Sequence, residues 1–263
     1  MAPVVFELWG FVLYTYTLLG ALGFVVLAFT TMRRGALLGI PGRRSLQVVL
    51  AVAVTAVVGG RLAWFAAMPT EGVRDLLDLS SGGLLFFGAA LGGGVGGLIS
   101  MRIQRLPFFA MADVLALGLP VAHALFRVGC FLAGCCWGLP TDLPWAVHFD
   151  HPIGPAPVGV SLHPTQLYEA GLLLAVAVAL RWLYRHRRWN GQVMGAYLLA
   201  YGVIRVVLEF VRGDTIALAS PLTAGQVGGL GLVGLSLLVF GGLARLRSRA
   251  VARPIGYGSP SES

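Results

Sequence analysis

The sequence predicts an all-α, polytopic transmembrane helix bundle of about seven crossings, with a small loop or head region on one face. Three observations carry this expectation. The 263 residues are 57% hydrophobic and only 11% charged, with a mean hydropathy of +0.82, which leaves far too little polar surface to cover a water-soluble domain. Several apolar runs reach the ~20 residues that a helix needs to cross a bilayer core. The basic residues, all 19 of them arginine, fall in short clusters between those runs, the pattern of loops held against an anionic cytoplasmic leaflet. A formal charge of +8 distributed in this way points to membrane lipids as partners and not to nucleic acid.

Seven apolar segments lie at roughly 11–31, 46–66, 83–100, 108–126, 167–184, 191–211 and 223–243. No basic residue precedes the first, whereas Arg33 and Arg34 follow it, so it reads as a retained crossing with an outside amino terminus and not as a cleavable signal peptide. Alternation from there puts fourteen of the nineteen arginines on the cytoplasmic side. The outer side receives Arg61, Arg74, Arg127, Arg205 and Arg212, together with Glu71, Asp75, Asp78, Asp142, Asp150 and Asp214. That bias predicts a cytoplasmic carboxyl terminus. In the third segment Gly92, Gly94 and Gly97 match a dinucleotide fingerprint only formally, because no strand precedes them. The four-residue spacing of Gly88, Gly92 and Gly96 predicts close helix packing instead. Residues 127–162 are too polar and proline-rich to cross and read as an outer loop or head. A single transmembrane domain is expected over 1–250, with a basic, then Gly/Ser/Pro-rich, disordered tail at 251–263.

Ionisable residues inside such helices are expensive and therefore informative. Arg205, Glu209 and Arg212 share one face of the sixth segment. They fit either a structural ion pair or a pair that meets a ligand. Arg127 ends the fourth segment among glycines; it fits a guanidinium snorkelling to the headgroup layer as well as a two-pronged phosphate clamp. The run His163-Pro164-Thr165-Gln166-Leu167-Tyr168-Glu169 opens the fifth segment with a histidine suited to acid–base work and a carboxylate entering the apolar region. Arg61 lies near the outer end of the second. Four segments thus bring ionisable groups to one membrane depth. Cys130, Cys135 and Cys136 are odd in number, which permits one bridge but no closed framework. Their spacing matches no zinc pattern, and no metal is expected. His148, His151 and His186 read as ordinary solvated residues.

Together these residues resemble the bacterial prolipoprotein diacylglyceryl transferase family. The resemblance runs from Gly59-Gly60-Arg61 through Gly82-Gly83-Leu84, Arg127 to Gly138, and His163 to Glu169, to Tyr201-Gly202-Val203-Ile204-Arg205-Val206-Val207-Leu208-Glu209. It implies seven crossings in the bacterial inner membrane. The implied reaction transfers diacylglyceryl from phosphatidylglycerol to the lipobox cysteine thiol of a secreted prolipoprotein, with glycerol phosphate leaving and no metal or organic cofactor. By resemblance Arg127 holds the lipid phosphate, in a binding region shared with Gly129, Gly138, Arg61, Gln166 and Tyr201. Arg205 with Glu209 assists the transfer.

This chain departs from the family pattern in several places. Phe87-Gly88 stands where the family has a histidine-glycine pair. Cys130 replaces an asparagine and Cys135 a glutamate, and a first-segment tyrosine falls near Leu13, with Tyr14 and Tyr16 as substitutes. Phe87 cannot take a proton, so His163 or Glu169 is the replacement base. Two other readings stand beside the transferase: a relative that binds anionic phospholipid with another acceptor or none, and a transporter or assembly factor with an arginine-lined cavity. The absence of an evident half-helix break or inverted repeat counts against a transporter.

Overall fold

The computed structural model describes residues 4–8, 11–67, 86–215, 217–218 and 220–251. Among these are seven helices long and apolar enough to cross a membrane: α1 (Thr15–Ala36), α2 (Gly42–Ala67), α3 (Phe86–Ile103), α4 (Phe108–Ala133), α5 (Thr165–His186), α6 (Gln192–Leu208) and α7 (Ala224–Val251). Two short antiparallel ribbons accompany them. β1 (Val4–Leu8) pairs with β2 (Phe11–Tyr14), and β3 (Ala217–Leu218) with β4 (Ser220–Thr223). The chain is a multi-pass membrane protein. Its outward apolar side chains, such as Leu18, Leu22, Val25 and Phe29 on α1, suit contact with lipid, where the backbone must satisfy itself within helices.

Two boundaries differ from the sequence expectation. Residues 11–14 form the second strand of the amino-terminal ribbon, so the first crossing starts later, at Thr15, and runs on to Ala36. Arg33 and Arg34 lie in its last turn, where cations complement the helix dipole. The fourth helix continues past Arg127 to Ala133, and the head expected from 127 begins after it. Arg127 does not end the helix because its charge is met inside the bundle (below). The stop falls instead at Gly134, whose φ of 74° closes the helix in the left-handed region, a conformation glycine adopts without a Cβ penalty. Segment 68–85, with Glu71, Arg74, Asp75, Asp78 and Gly82-Gly83-Leu84, lies outside the described residues, as does the tail 252–263; Val251 itself closes α7.

Helix α4 is the most enclosed of the seven. It packs against α1 on one side and α5 on the other, while α2 packs on α3 and α6 on α7. One core joins Leu117, Ala124, Leu173, Val193 and Tyr201 of α4, α5 and α6. A second joins Leu27, Val48, Met101 and Met111 of α1 to α4. Without a hydrophobic drive between helices in lipid, close backbone approach supplies the packing. The glycine stripe of α3 does this: a Cβ on Gly88 or Gly92 would collide with the backbone of Gly59 or Thr55 on α2, and one on Gly96 with the Thr55 side chain.

Asp113, fully buried near the start of α4, accepts hydrogen bonds from the backbone N–H groups of Gly191, Val193 and Met194 at 2.9, 2.9 and 3.0 Å. It caps α6 from a distant helix, satisfying donors that a helix start leaves open. At the opposite end, residues 134–164 fold into a small head over a core of Phe149, Ala156 and Leu162. Isolated bridges join Pro140 and Val147 to Leu162 and Gly138 to Arg212.

Candidate active site

Beneath the head, α4, α5, α6 and the 3-10 turn Glu209–Val211 converge on a buried charge cluster. Each contributes through helix periodicity. His123 and Arg127 stand four apart on α4, Gln166 and Glu169 three apart on α5, and Tyr201, Arg205 and Glu209 at four-residue steps along α6 and its exit. Residues so spaced share one helix face. Arg127 Nε lies 3.0 Å from Glu169 Oε1, and Arg205 Nη1 3.8 Å from Glu169 Oε2. Arg205 Nη2 bonds Glu209 Oε2 at 2.9 Å, and Arg212 Nε reaches the same oxygen at 3.8 Å. Arg212 Nη2 closes the chain on Asp214 Oδ1 at 2.7 Å. Tyr201 donates to Glu169 at 3.1 Å and Thr223 to Glu209 at 2.8 Å.

Among the described residues, three guanidinium groups thus face three carboxylates, and their formal charges cancel. The hydrogen bonds do not close as well. Among the described residues, Arg127 Nε, Arg205 Nε and Nη1, and Arg212 Nε are buried without an aligned acceptor, and so is His123 Nε2. Buried charged donors left in this state are costly, so they mark the face on which an anionic acceptor gains most.

Several sequence-nominated residues meet in this cluster: Arg127, Glu169, Tyr201, Arg205 and Glu209. Gln166 is buried beside it and donates to the Cys135 carbonyl at 2.7 Å. Arg61 is buried on α2. His163 stands apart in the head, where its Nδ1 lies 3.3 Å from the Tyr168 hydroxyl, which also accepts from Trp145 at 2.7 Å. The two glycines do packing work. A Cβ at Gly129 would press on Tyr16 of α1, and one at Gly138 on the His163 carbonyl.

His123 escaped the sequence reading. Its Nε2 is 3.6 Å from Glu169 Oε1, and its ring stacks on Phe86 at 5.2 Å between centroids and meets Tyr201 edge-on at 4.8 Å. The available signal was its place one helical turn before Arg127. The neighbouring Phe87 packs on Gly228 of α7 and lies 6.0 Å under the Arg205 guanidinium, as Phe86 lies 5.7 Å under Arg127. The two phenylalanines therefore serve as aromatic faces for the arginines.

At the head side of the cluster, Arg127 Nη1 lies 3.5 Å from Cys136 Sγ. Hydrogen bonds from Cys130 and Cys135, with Arg127 and Arg212 nearby, hold the Cys136 thiol well below its ordinary range. For Cys135 the Cys130 contact pulls down, but its bond to Cys136 and its burial outweigh that and push it up to about 12. Burial likewise raises the Asp214 carboxyl against the pull of Arg212.

Among known proteins, the family model described as prolipoprotein diacylglyceryl transferase matches residues 3–241. The chain belongs to this family. Relatives named phosphatidylglycerol–prolipoprotein diacylglyceryl transferase include one from Clostridium tetani, 31% identical over 245 residues that cover 91% of this chain and 97% of the relative. One from Bordetella parapertussis is 33% identical over 239 residues, 85% of this chain and 88% of the relative. One from Methylococcus capsulatus is 38% identical over 194 residues, 69% and 71% respectively.

Proposed function

We propose that this chain transfers the diacylglyceryl group of phosphatidylglycerol to the lipobox cysteine thiol of prolipoproteins, at the outer face of the bacterial inner membrane. The orientation rests on the arginine bias of the sequence, which puts the amino terminus outside and the carboxyl terminus in the cytoplasm. One observation carries the assignment of the site: among the described residues, four guanidinium nitrogens of Arg127, Arg205 and Arg212 are buried without an aligned acceptor, in a cluster whose described charges cancel. A phosphodiester supplies the missing acceptor oxygens. Arg127, with Nη1 turned to the head side, takes the lipid phosphate as a fork. Arg205, fixed by Glu209, stabilises the charge that builds on the same phosphate as its glyceryl C–O bond breaks.

The reaction balances simply. The acceptor sulfur forms a C–S bond to the diacylglyceryl carbon, the C–O bond to phosphate breaks, glycerol phosphate leaves, and the thiol proton needs a base. His123 Nε2 is the best-placed group for that proton, because it stands inside the cluster and faces Glu169. Stacking on Phe86 and the edge contact with Tyr201 hold the ring, and Glu169 stabilises the imidazolium. His163, the base nominated from sequence, belongs to the head and bonds Tyr168.

Transfer to a lipobox peptide, followed against pH, separates the two histidines. His123→Ala should lower the rate by roughly 10²–10⁴-fold, the usual worth of a positioned base. The loss should shrink as pH rises and the substrate thiol ionises unaided. His163→Ala should stay within a few-fold of wild type. The reverse pattern would return the proton to His163.

A further inference from the structure

We infer that Cys130, Cys135 and Cys136 form a binding site for one soft, monovalent d10 cation of the Cu(I) class, at the junction of the head and the charge cluster. Their three sulfur atoms lie within 4.8 Å of one another. The sequence spacing gave no hint of this, because the convergence depends on the turn that follows α4. Cys130 sits in the last turn of the helix. The Gly134 cap at φ 74° reverses the chain, and the Cys135 N–H bonds back to the Cys130 carbonyl at 3.1 Å. Cys136 then takes a φ of 60°, a left-handed conformation that costs a non-glycine residue and persists only where surroundings impose it.

Those surroundings come from α5. Thr165 Oγ1 donates to the Cys136 carbonyl at 2.8 Å, and Gln166 Nε2 to the Cys135 carbonyl at 2.7 Å. The backbone is therefore held while the three thiols point together. Cys130 is buried and the other two are half-buried, which leaves the cluster reachable from the head side.

The donor set selects the ion. Sulfur ligands favour soft metals. At a metal–sulfur distance of about 2.3 Å a planar three-sulfur site spans about 4 Å between sulfurs, so the thiols need close by less than about 1 Å. Among the described residues no fourth histidine, cysteine or carboxylate belongs to the group, whereas structural zinc takes four ligands. Arg127, 3.5 Å from Cys136, and Arg212 beside it set positive charge next to the sulfur ligands. The binding itself does not depend on the transferase reading.

The test uses the full chain, purified under reducing conditions in detergent and titrated with Cu(I) against a chromophoric Cu(I) chelator. One ion per chain should bind, with an X-ray absorption spectrum showing sulfur-only, three-fold coordination. Affinity should fall at least about 100-fold in each of Cys130→Ala, Cys135→Ala and Cys136→Ala, since even outer-shell changes cost up to that much. No uptake by wild type, nitrogen in the coordination shell, or a single variant that binds as wild type would each overturn the site. The wild-type spectrum decides even where a variant does not fold. A protein isolated with one disulfide that reduction does not open to binding would overturn it too.

Discussion

Replacing Arg127 by alanine separates holding the fold from holding the substrate. Arg127 and Glu169 are both almost wholly inside the protein, with side-chain exposures of 4% and 2% and 3.0 Å between Nε and Oε1. Removing one member of such a pair strands the other's charge, at about 3–5 kcal/mol. Here Arg205 at 3.8 Å and His123 at 3.6 Å still face Glu169, so the stability loss should sit near the lower end, about 3 kcal/mol. The catalytic loss is a separate quantity. Two charge-assisted hydrogen bonds to the lipid phosphate, at roughly 1.5–3 kcal/mol each, amount to about 10²–10⁴-fold in rate at 1.36 kcal/mol per decade. Arg127→Lys keeps the charge but not the fork and should lose about 10–10²-fold. The double variant Arg127→Ala, Glu169→Gln removes the stranded carboxylate. It should regain much of the stability, read as thermal unfolding in detergent, without regaining transfer. Phosphatidylglycerol-dependent modification of a lipobox peptide measures the second quantity. A folded Arg127→Ala protein with more than about a tenth of the wild-type rate would refute the phosphate role.

Two further outcomes test the frame around the site. Asp113→Ala leaves the amide groups of Gly191, Val193 and Met194 without their acceptor, at about 1–3 kcal/mol each. It should therefore lower stability by at least about 3 kcal/mol in thermal unfolding. The folded fraction should still transfer normally, since Asp113 lies about 21 Å along α4 from Arg127; a specific loss of activity would show that the two ends are coupled. Reporter fusions after about residues 40, 104, 187 and 255 should all report cytoplasm, as the arginine bias requires, and a periplasmic signal at any of them would overturn the orientation.

What the sequence made legible follows from which forces are local. Hydropathy needs only neighbours along the chain, so seven crossings could be read at once, and the four-residue spacing of Gly88, Gly92 and Gly96 announced a close helix contact, whose partner, α2, only the fold supplies. The ends of the crossings were harder. Arg127 looks like a boundary residue in a hydropathy profile, and only the fold reveals the carboxylate from α5 that lets α4 run on to Ala133. The charged members of the cluster were legible for a different reason: each is expensive in a membrane by itself, so each stood out without knowledge of its partner. His123 and the cysteines carry no such surcharge. A neutral histidine or thiol in an apolar helix looks bland, and its meaning depends wholly on what faces it.

The same logic explains how a phenylalanine at 87, where the family resemblance leads one to expect histidine, leaves an imidazole in the proposed site. Motifs record order along the chain, whereas chemistry needs a group at a point in space. The ring stacked on Phe86 of α3 is His123 of α4, one turn from the arginine that faces Glu169. An imidazole delivered from α4 meets the same carboxylate and the same two arginines that any residue on that wall would meet. Helix α4 also has the firmer seat, clasped between α1 and α5 and pinned at its far end by the cap that Asp113 makes on α6. A proton acceptor gains from such rigidity, because transfer requires approach to within hydrogen-bond reach of the thiol. Loosening α4 at its contact with α1, where a side chain at Gly129 would press on Tyr16, should therefore cost turnover before it costs lipid binding.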